Sequence, residues 1–157
     1  MSDTGRGQRV YRMIKQYLTG KGLRFEAHEE DLMIAFPMYG GELPQRVFFR
    51  VLDERDMFQV LSVLPDRIPE DRRVDAAVAV AVANYGIVNG SFDLDVTDGE
   101  IRFRLAQCYK GLEPGEDLID YVLGVTVFTT DKYIGLFHKL GSGEMSLEQF
   151  LDRESAR

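Results

Sequence analysis

A chain of 157 residues with 45% hydrophobic residues and ten phenylalanines is long enough to bury one sizeable core. Its formal charge of -7, with no cluster of basic residues, argues against nucleic acid or an anionic membrane as a partner. The single cysteine, Cys108, excludes an intramolecular disulfide, and the lack of an apolar leader core or membrane-length apolar run points to a cytoplasmic protein.

Residues 1–9 read as a flexible polar start, 10–151 as a single α+β domain and 152–157 as a polar tail. Val10, Met13, Ile14, Tyr17 and Leu18 recur at helical spacing, and Gly20 and Gly22 close that helix. Leu23, Phe25 and Ala27 alternate with polar residues, and Glu29-Glu30-Asp31 turns the chain into a second strand over Leu32–Pro37. A loop with Gly40-Gly41 and Pro44 leads to a third strand, Arg46–Leu52, with Val47, Phe49 and Val51 on one face. Met57–Leu64 is apolar on both faces, as a central or interface strand would be.

The two-residue period turns Arg46, Phe48 and Arg50 away from the core. If Leu32, Ile34 and Phe36 face inward on the neighbouring strand, Met33 and Ala35 also face outward. Met33 and Phe48 then begin an apolar patch rimmed by Arg46 and Arg50, the kind of patch that marks protein-binding surfaces. Coverage of this face by the long helix or by a dimer mate is the alternative.

Pro69, Glu70 and Asp71 suit the first turn of a helix through VDAAVAVAVANYG. A buried strand is the competing reading, since the valines also recur at period two. Val74, Ala77, Val78, Ala81, Val82 and Tyr85 form one stripe fit for the core. The opposite side, Ala76, Ala79, Val80 and Ala83, is also apolar and predicts a symmetric dimer seam. Gly86 is expected at positive φ beyond the helix end. A hairpin follows, and a two-residue turn at Asp98-Gly99 would set Phe92 against Leu105, Leu94 against Phe103 and Val96 against Ile101. On its other side Asp93 would face Arg104 and Asp95 would face Arg102.

A long helix starts near Glu116-Asp117 and carries Ile119, Val122, Thr126, Tyr133, Phe137 and Leu140 on one face. Gly124, Gly135 and the β-branched run 125–130 leave room for a kink near Thr129. Ser146 and Gln149 make a capping box for a short last helix. The order α-β-β-β-β-α-β-β-α defines an α+β fold with a mainly antiparallel sheet and helices packed on it.

The chemistry-bearing residues form no catalytic or metal-binding constellation. His28 and His138 sit in unrelated elements, one cysteine cannot complete a zinc site, and the glycine pairs lack the frame of a phosphate loop. Asp93-x-Asp95-x-x-Asp98 misses the ligand spacing of a calcium loop at Thr97. The expectation is a non-enzyme without a cofactor.

Phe58–Leu64-Pro65 before Ile68-Pro69-Glu70, then Asn84-Tyr85-Gly86, Gly90-Ser91-Phe92, Asp98-Gly99-Glu100-Ile101-Arg102-Phe103 and Asp131-Lys132-Tyr133 with Gly141, resembles the YbjN domain family over roughly Phe25 to Phe150. The resemblance implies the fold of dimeric class I type III secretion chaperones and a chaperone-like or sensory-transduction regulatory role. It brings no enzymatic residues. The expected protein is therefore a homodimeric module with a polypeptide partner; a sensor with a small-ligand pocket between sheet and long helix is the alternative.

Overall fold

In the computed structural model, residues 5–156 are described. Helix α1 (Arg6–Gly20) is followed by strands β1 (Glu26–His28), β2 (Met33–Met38), β3 (Gln45–Leu52) and β4 (Met57–Val63). Then come helix α2 (Arg73–Tyr85), strands β5 (Ser91–Leu94) and β6 (Ile101–Cys108), and helices α3 (Glu116–Ser142) and α4 (Leu147–Ser155). Short 3₁₀ turns precede β4 and α2. The strands form one antiparallel sheet in the order β1-β2-β3-β4-β6-β5. The α+β class and the order of elements match the expectation from sequence.

Cross-strand register sorts the residues into two faces. Ile34, Phe49, Val60 and Leu105 make one inward row, and Phe36, Val47, Ser62, Phe103 and Phe92 make the next; all nine are buried. Helices α1, α2 and α3 pack on this side, with α4 against α2 and α3. Phe92 is the meeting point. Its ring lies 5.1 Å from Phe103, 5.4 Å from Tyr133 and 5.0 Å from Phe137, each edge-on, and Phe137 stacks on Phe150 at 6.0 Å. Sheet and helices thus share one aromatic cluster, where each buried ring contributes about 1.5–3 kcal/mol.

Helix α1 begins earlier than Val10, the first residue its spacing marks. Asp53, from the turn before β4, accepts the Gly7 N–H at 2.9 Å, and Arg6 pairs with Asp56 at 3.0 Å, so the first turn is held by acids remote in sequence. The rest of the expected flexible start, residues 1–4, lies outside the described residues, as does Arg157 of the tail; α4 takes up residues 152–155 of that tail. The capping box closes as expected: Gln149 N–H donates to Ser146 Oγ at 3.1 Å, and Ser146 N–H donates to Gln149 Oε1 at 2.9 Å.

Helix α3 runs unbroken for 27 residues with its six expected core residues buried. Thr126 returns its hydroxyl to the Val122 carbonyl at 2.8 Å, so this β-branched residue is satisfied within the helix. Gly135 serves the loop beside it, since a Cβ there would lie 2.0 Å from the Glu42 carboxylate. The glycine therefore marks a close approach of loop and helix, not a kink.

The hairpin differs from the sequence reading by two residues. Phe92 faces Phe103, Leu94 faces Ile101 and Asp93 faces Arg102. The turn spans Asp95–Glu100 and leaves Val96 exposed. Asp95 accepts from the Thr97 backbone and hydroxyl at 2.9 and 2.6 Å, and Asp98 accepts from the Glu100 N–H at 2.9 Å. These side-chain turns favour a wider loop over the tight one. Gly86 also departs from expectation, with φ of -93°.

Gly99 holds φ at +82°, its carbonyl accepts the Ile68 N–H at 2.8 Å, and a Cβ would lie 2.1 Å from the Ile68 carbonyl oxygen. Gly99→Val should therefore destabilise the fold by about 2–4 kcal/mol, combining backbone strain and overlap. Thermal melting unchanged within error would show that this contact does not hold the turn.

Asp93 supplies a pH test of the same hairpin. Arg104 donates to it at 2.8 and 3.1 Å and Arg102 at 3.3 Å. Burial alone would raise its pKa, but hydrogen bonds and charge from Arg104 and then Arg102 outweigh burial and hold it below the ordinary 3.8. A carboxyl depressed in this way stabilises the fold above its unfolded pKa, and the contribution is lost as pH falls through the folded value. Asp93→Asn should cost about 0.5–1 kcal/mol at neutral pH and approach wild type as the pH falls below the lowered pKa of Asp93. Denaturant titrations across that range should show the gap closing; a gap constant with pH would mean that charge is not its source.

Candidate functional site

The outward face of the sheet carries no helix. Its central row runs Glu26, Ala35, Phe48, Leu61 and Arg104 across β1, β2, β3, β4 and β6. One flanking row is Met33, Arg50, Gln59 and Ala106, and the other is Pro37, Arg46, Val63, Arg102 and Asp93. Met33, Arg46, Phe48 and Arg50 are therefore brought together on one surface. Ala35 is buried among its neighbours, Met33, Phe48, Leu61 and Val63 are half-buried, and Arg46 and Arg50 are exposed. The Arg46 guanidinium lies 5.3 Å from the centre of the Phe48 ring, so the charge shields the aromatic without hiding it. Among the described residues, neither Arg24, Arg46 nor Arg50 has a carboxylate partner.

Beside Arg46 the face deepens into a groove of about 740 Å³, lined in part by Arg24, Phe25, Pro37, Val63, Pro65 and Arg67. Sequence reading marked Phe48 because it interrupts two arginines on a polar-facing period. It missed Leu61 and Val63, since β4 is apolar on both faces and its outward side had no contrast to reveal it.

Helix α2 exchanges the two faces assigned to it. Ala76, Ala79, Val80 and Ala83, the expected dimer seam, are buried within the chain, where α2 packs on β5 and α4. Val74, Val78 and Tyr85, expected in the core, are 77%, 40% and 96% exposed. They share a shallow surface with Ala77, Ala81 and Val82. The reason lies in Asn84. Strand β5 is the terminal strand of the sheet, and the Asn84 side chain donates to the Phe92 carbonyl at 2.9 Å and accepts the Phe92 N–H at 2.8 Å. That pair of bonds turns the helix so that the positions one, four, five and eight residues before Asn84 face inward, and the three alanines among them permit close packing.

A separate cavity of about 220 Å³ opens between the connection after β4 and helix α3. Leu64, Ile68, Ile134 and Phe137 give it apolar walls, and Asp66 and His138, 2.5 Å apart, stand among its lining residues. His28 is exposed on β1. Among the described residues, no group of histidine, cysteine and carboxylate side chains is placed to hold a metal ion, and no helix is long and apolar enough to cross a membrane.

No protein-family model and no curated protein matches the chain. Solved structures do. YbjN from E. coli is similar with a TM-score of 0.61 at 10% identity, over 78% of this chain and 87% of that one. A chain of the ExsC–ExsE complex gives 0.57 at 15% identity, over 84% and 96%. A chain of the HopA1–SchA chaperone–effector complex gives 0.51 at 10% identity, over 77% and 90%. At such identities the likeness concerns the backbone, and it agrees with the family resemblance carried by the helix boundaries and turns: the chain has a YbjN-like, type III secretion chaperone-like fold.

Proposed function

We propose that the chain is a cytoplasmic, non-enzymatic protein-binding module, chaperone-like or regulatory, that acts as a homodimer and holds a polypeptide on its open sheet face. The observation that carries this reading is the apolar row Ala35–Phe48–Leu61, flanked by Met33 and Val63 and left without a helix. Half-buried apolar side chains set between charged ones suit a removable partner, because the surface stays hydrated when free and gains apolar contact when occupied. The chaperone–effector complex among the structural neighbours supports the same reading.

Pairing of two chains is assigned to the exposed stripe of α2, Val74 to Tyr85. The stripe is uncharged and, apart from Tyr85 at its end, built of alanine and valine, so two such helices can approach closely about a twofold axis. Val78→Glu combined with Val82→Glu should give a folded monomer by light scattering, whereas Ala79→Arg, aimed into the core, should lower the melting temperature instead. A wild type that is monomeric, or a double variant that stays dimeric, would rule out this seam.

The cavity beside α3 favours a second reading, a sensor for a small apolar ligand. One experiment separates the two. Material captured from the native cell on wild type and on Met33→Ser/Phe48→Ser should differ by a polypeptide that the variant loses while its melting is unchanged. A metabolite retained by both would favour the sensor, and a large loss of stability in the variant would make Met33 and Phe48 core residues.

A further inference from the structure

The open face differs in charge from the molecule that carries it. The whole chain has a formal charge of -7, yet the outward rows of β2, β3, β4 and β6 present Arg46, Arg50, Arg102 and Arg104. Two of these, Arg102 and Arg104, are neutralised within the chain by Asp93. Arg46 and Arg50 are exposed and have no carboxylate partner among the described residues, and the same holds for Arg24 in the adjoining groove.

Geometry ties these free charges to the apolar row. Arg46 lies over the Phe48 ring at 5.3 Å, and Arg50 stands directly across from Met33. Anything that covers Phe48 and Met33 must also cover Arg46 and Arg50. A neutral partner would exchange the water on two guanidinium groups for uncharged acceptors only, and a basic one would add repulsion. A carboxylate beside each apolar contact avoids both and forms bidentate pairs with the guanidinium forks. Along β3 the pattern alternates as well, with Phe48 between Arg46 and Arg50 at the two-residue spacing of an extended chain.

We infer that the occupant of the open face is an extended acidic segment of another protein whose sheet-facing side chains, at every second residue, are by turns apolar and carboxylate. The inference rests on the polypeptide-binding reading above and names the chemistry of that partner. Phosphate backbones would also meet the arginines. They offer nothing to Met33, Leu61 and Val63, which the apolar side chains of a polypeptide segment would cover.

The test uses the full chain and three labelled peptides of equal length, in which one face of the extended chain alternates leucine or valine with glutamate, serine or lysine, and serine fills the intervening positions of the other face. A single-stranded oligonucleotide is the fourth probe. By fluorescence anisotropy the glutamate peptide should bind roughly tenfold more tightly than the serine peptide, the lysine peptide should bind least, and added salt should narrow the gap. Arg46→Glu/Arg50→Glu should reverse the order in favour of lysine, and the milder Arg46→Gln/Arg50→Gln should level it, both with unchanged circular dichroism. Equal binding of glutamate and serine peptides, or an order insensitive to both variants, would overturn the acidic partner while leaving polypeptide binding intact. Binding of no peptide would overturn both. An oligonucleotide bound more tightly than any peptide, and released by the charge reversal, would replace the acidic segment with nucleic acid.

Discussion

Everything in this molecule follows from a sheet that buries only one of its faces. The inward rows are nearly continuous in aromatic and branched side chains, and the helices gather on that side, where Tyr133 and Phe137 of α3 and Phe150 of α4 join Phe92 and Phe103 of the sheet. Most of the large buried side chains lie on that side. The outward rows are consequently released from packing, and their mixture of Phe48, Leu61, Met33 and arginine is free to answer to a partner. A polar network fixes the arrangement from within: Ser62 donates to Gln45 at 2.9 Å and Gln45 donates to the Val127 carbonyl at 3.1 Å, which joins β4, β3 and α3 through buried, satisfied groups.

The elements and their order were legible because each has a local cause. Val47, Phe49 and Val51 alternate, Ser146 and Gln149 box a helix start, and α3 keeps its apolar face through two glycines. The outward position of Phe48 was legible for the same reason, since a period of two needs no knowledge of the neighbours. What escaped local reading is what depends on distant contacts. The hairpin register shows this well, for a shift of two residues keeps every side chain on its face, and so apolar still meets apolar. Only the contact between Gly99 and Ile68 and the side-chain turns at Asp95 and Asp98 select between the registers, and the first belongs to another part of the chain.

Helix α2 fails to declare its orientation for a related reason. Its two faces are both apolar, so periodicity finds a helix and offers no difference between inside and outside. Larger valines and a tyrosine suggested the core, and small alanines suggested a seam between copies. The structure uses the alanines where helix and sheet edge come closest, and Asn84, in the last turn of the helix, holds the rotation by satisfying the free edge of β5.

The two surfaces left exposed by this architecture differ in chemistry, and that difference separates their partners. The α2 stripe lies in the helix layer and carries no charge, so a second copy would meet it with the same residues and without electrostatic conflict. The sheet face lies on the opposite layer and shares no residue with it. A second copy offering that face would set Arg46 and Arg50 against their own equivalents or near them, and like charges so placed oppose self-association. A twofold contact is therefore compatible with the stripe and disfavoured on the sheet, which leaves the sheet of each chain open to a partner of different charge.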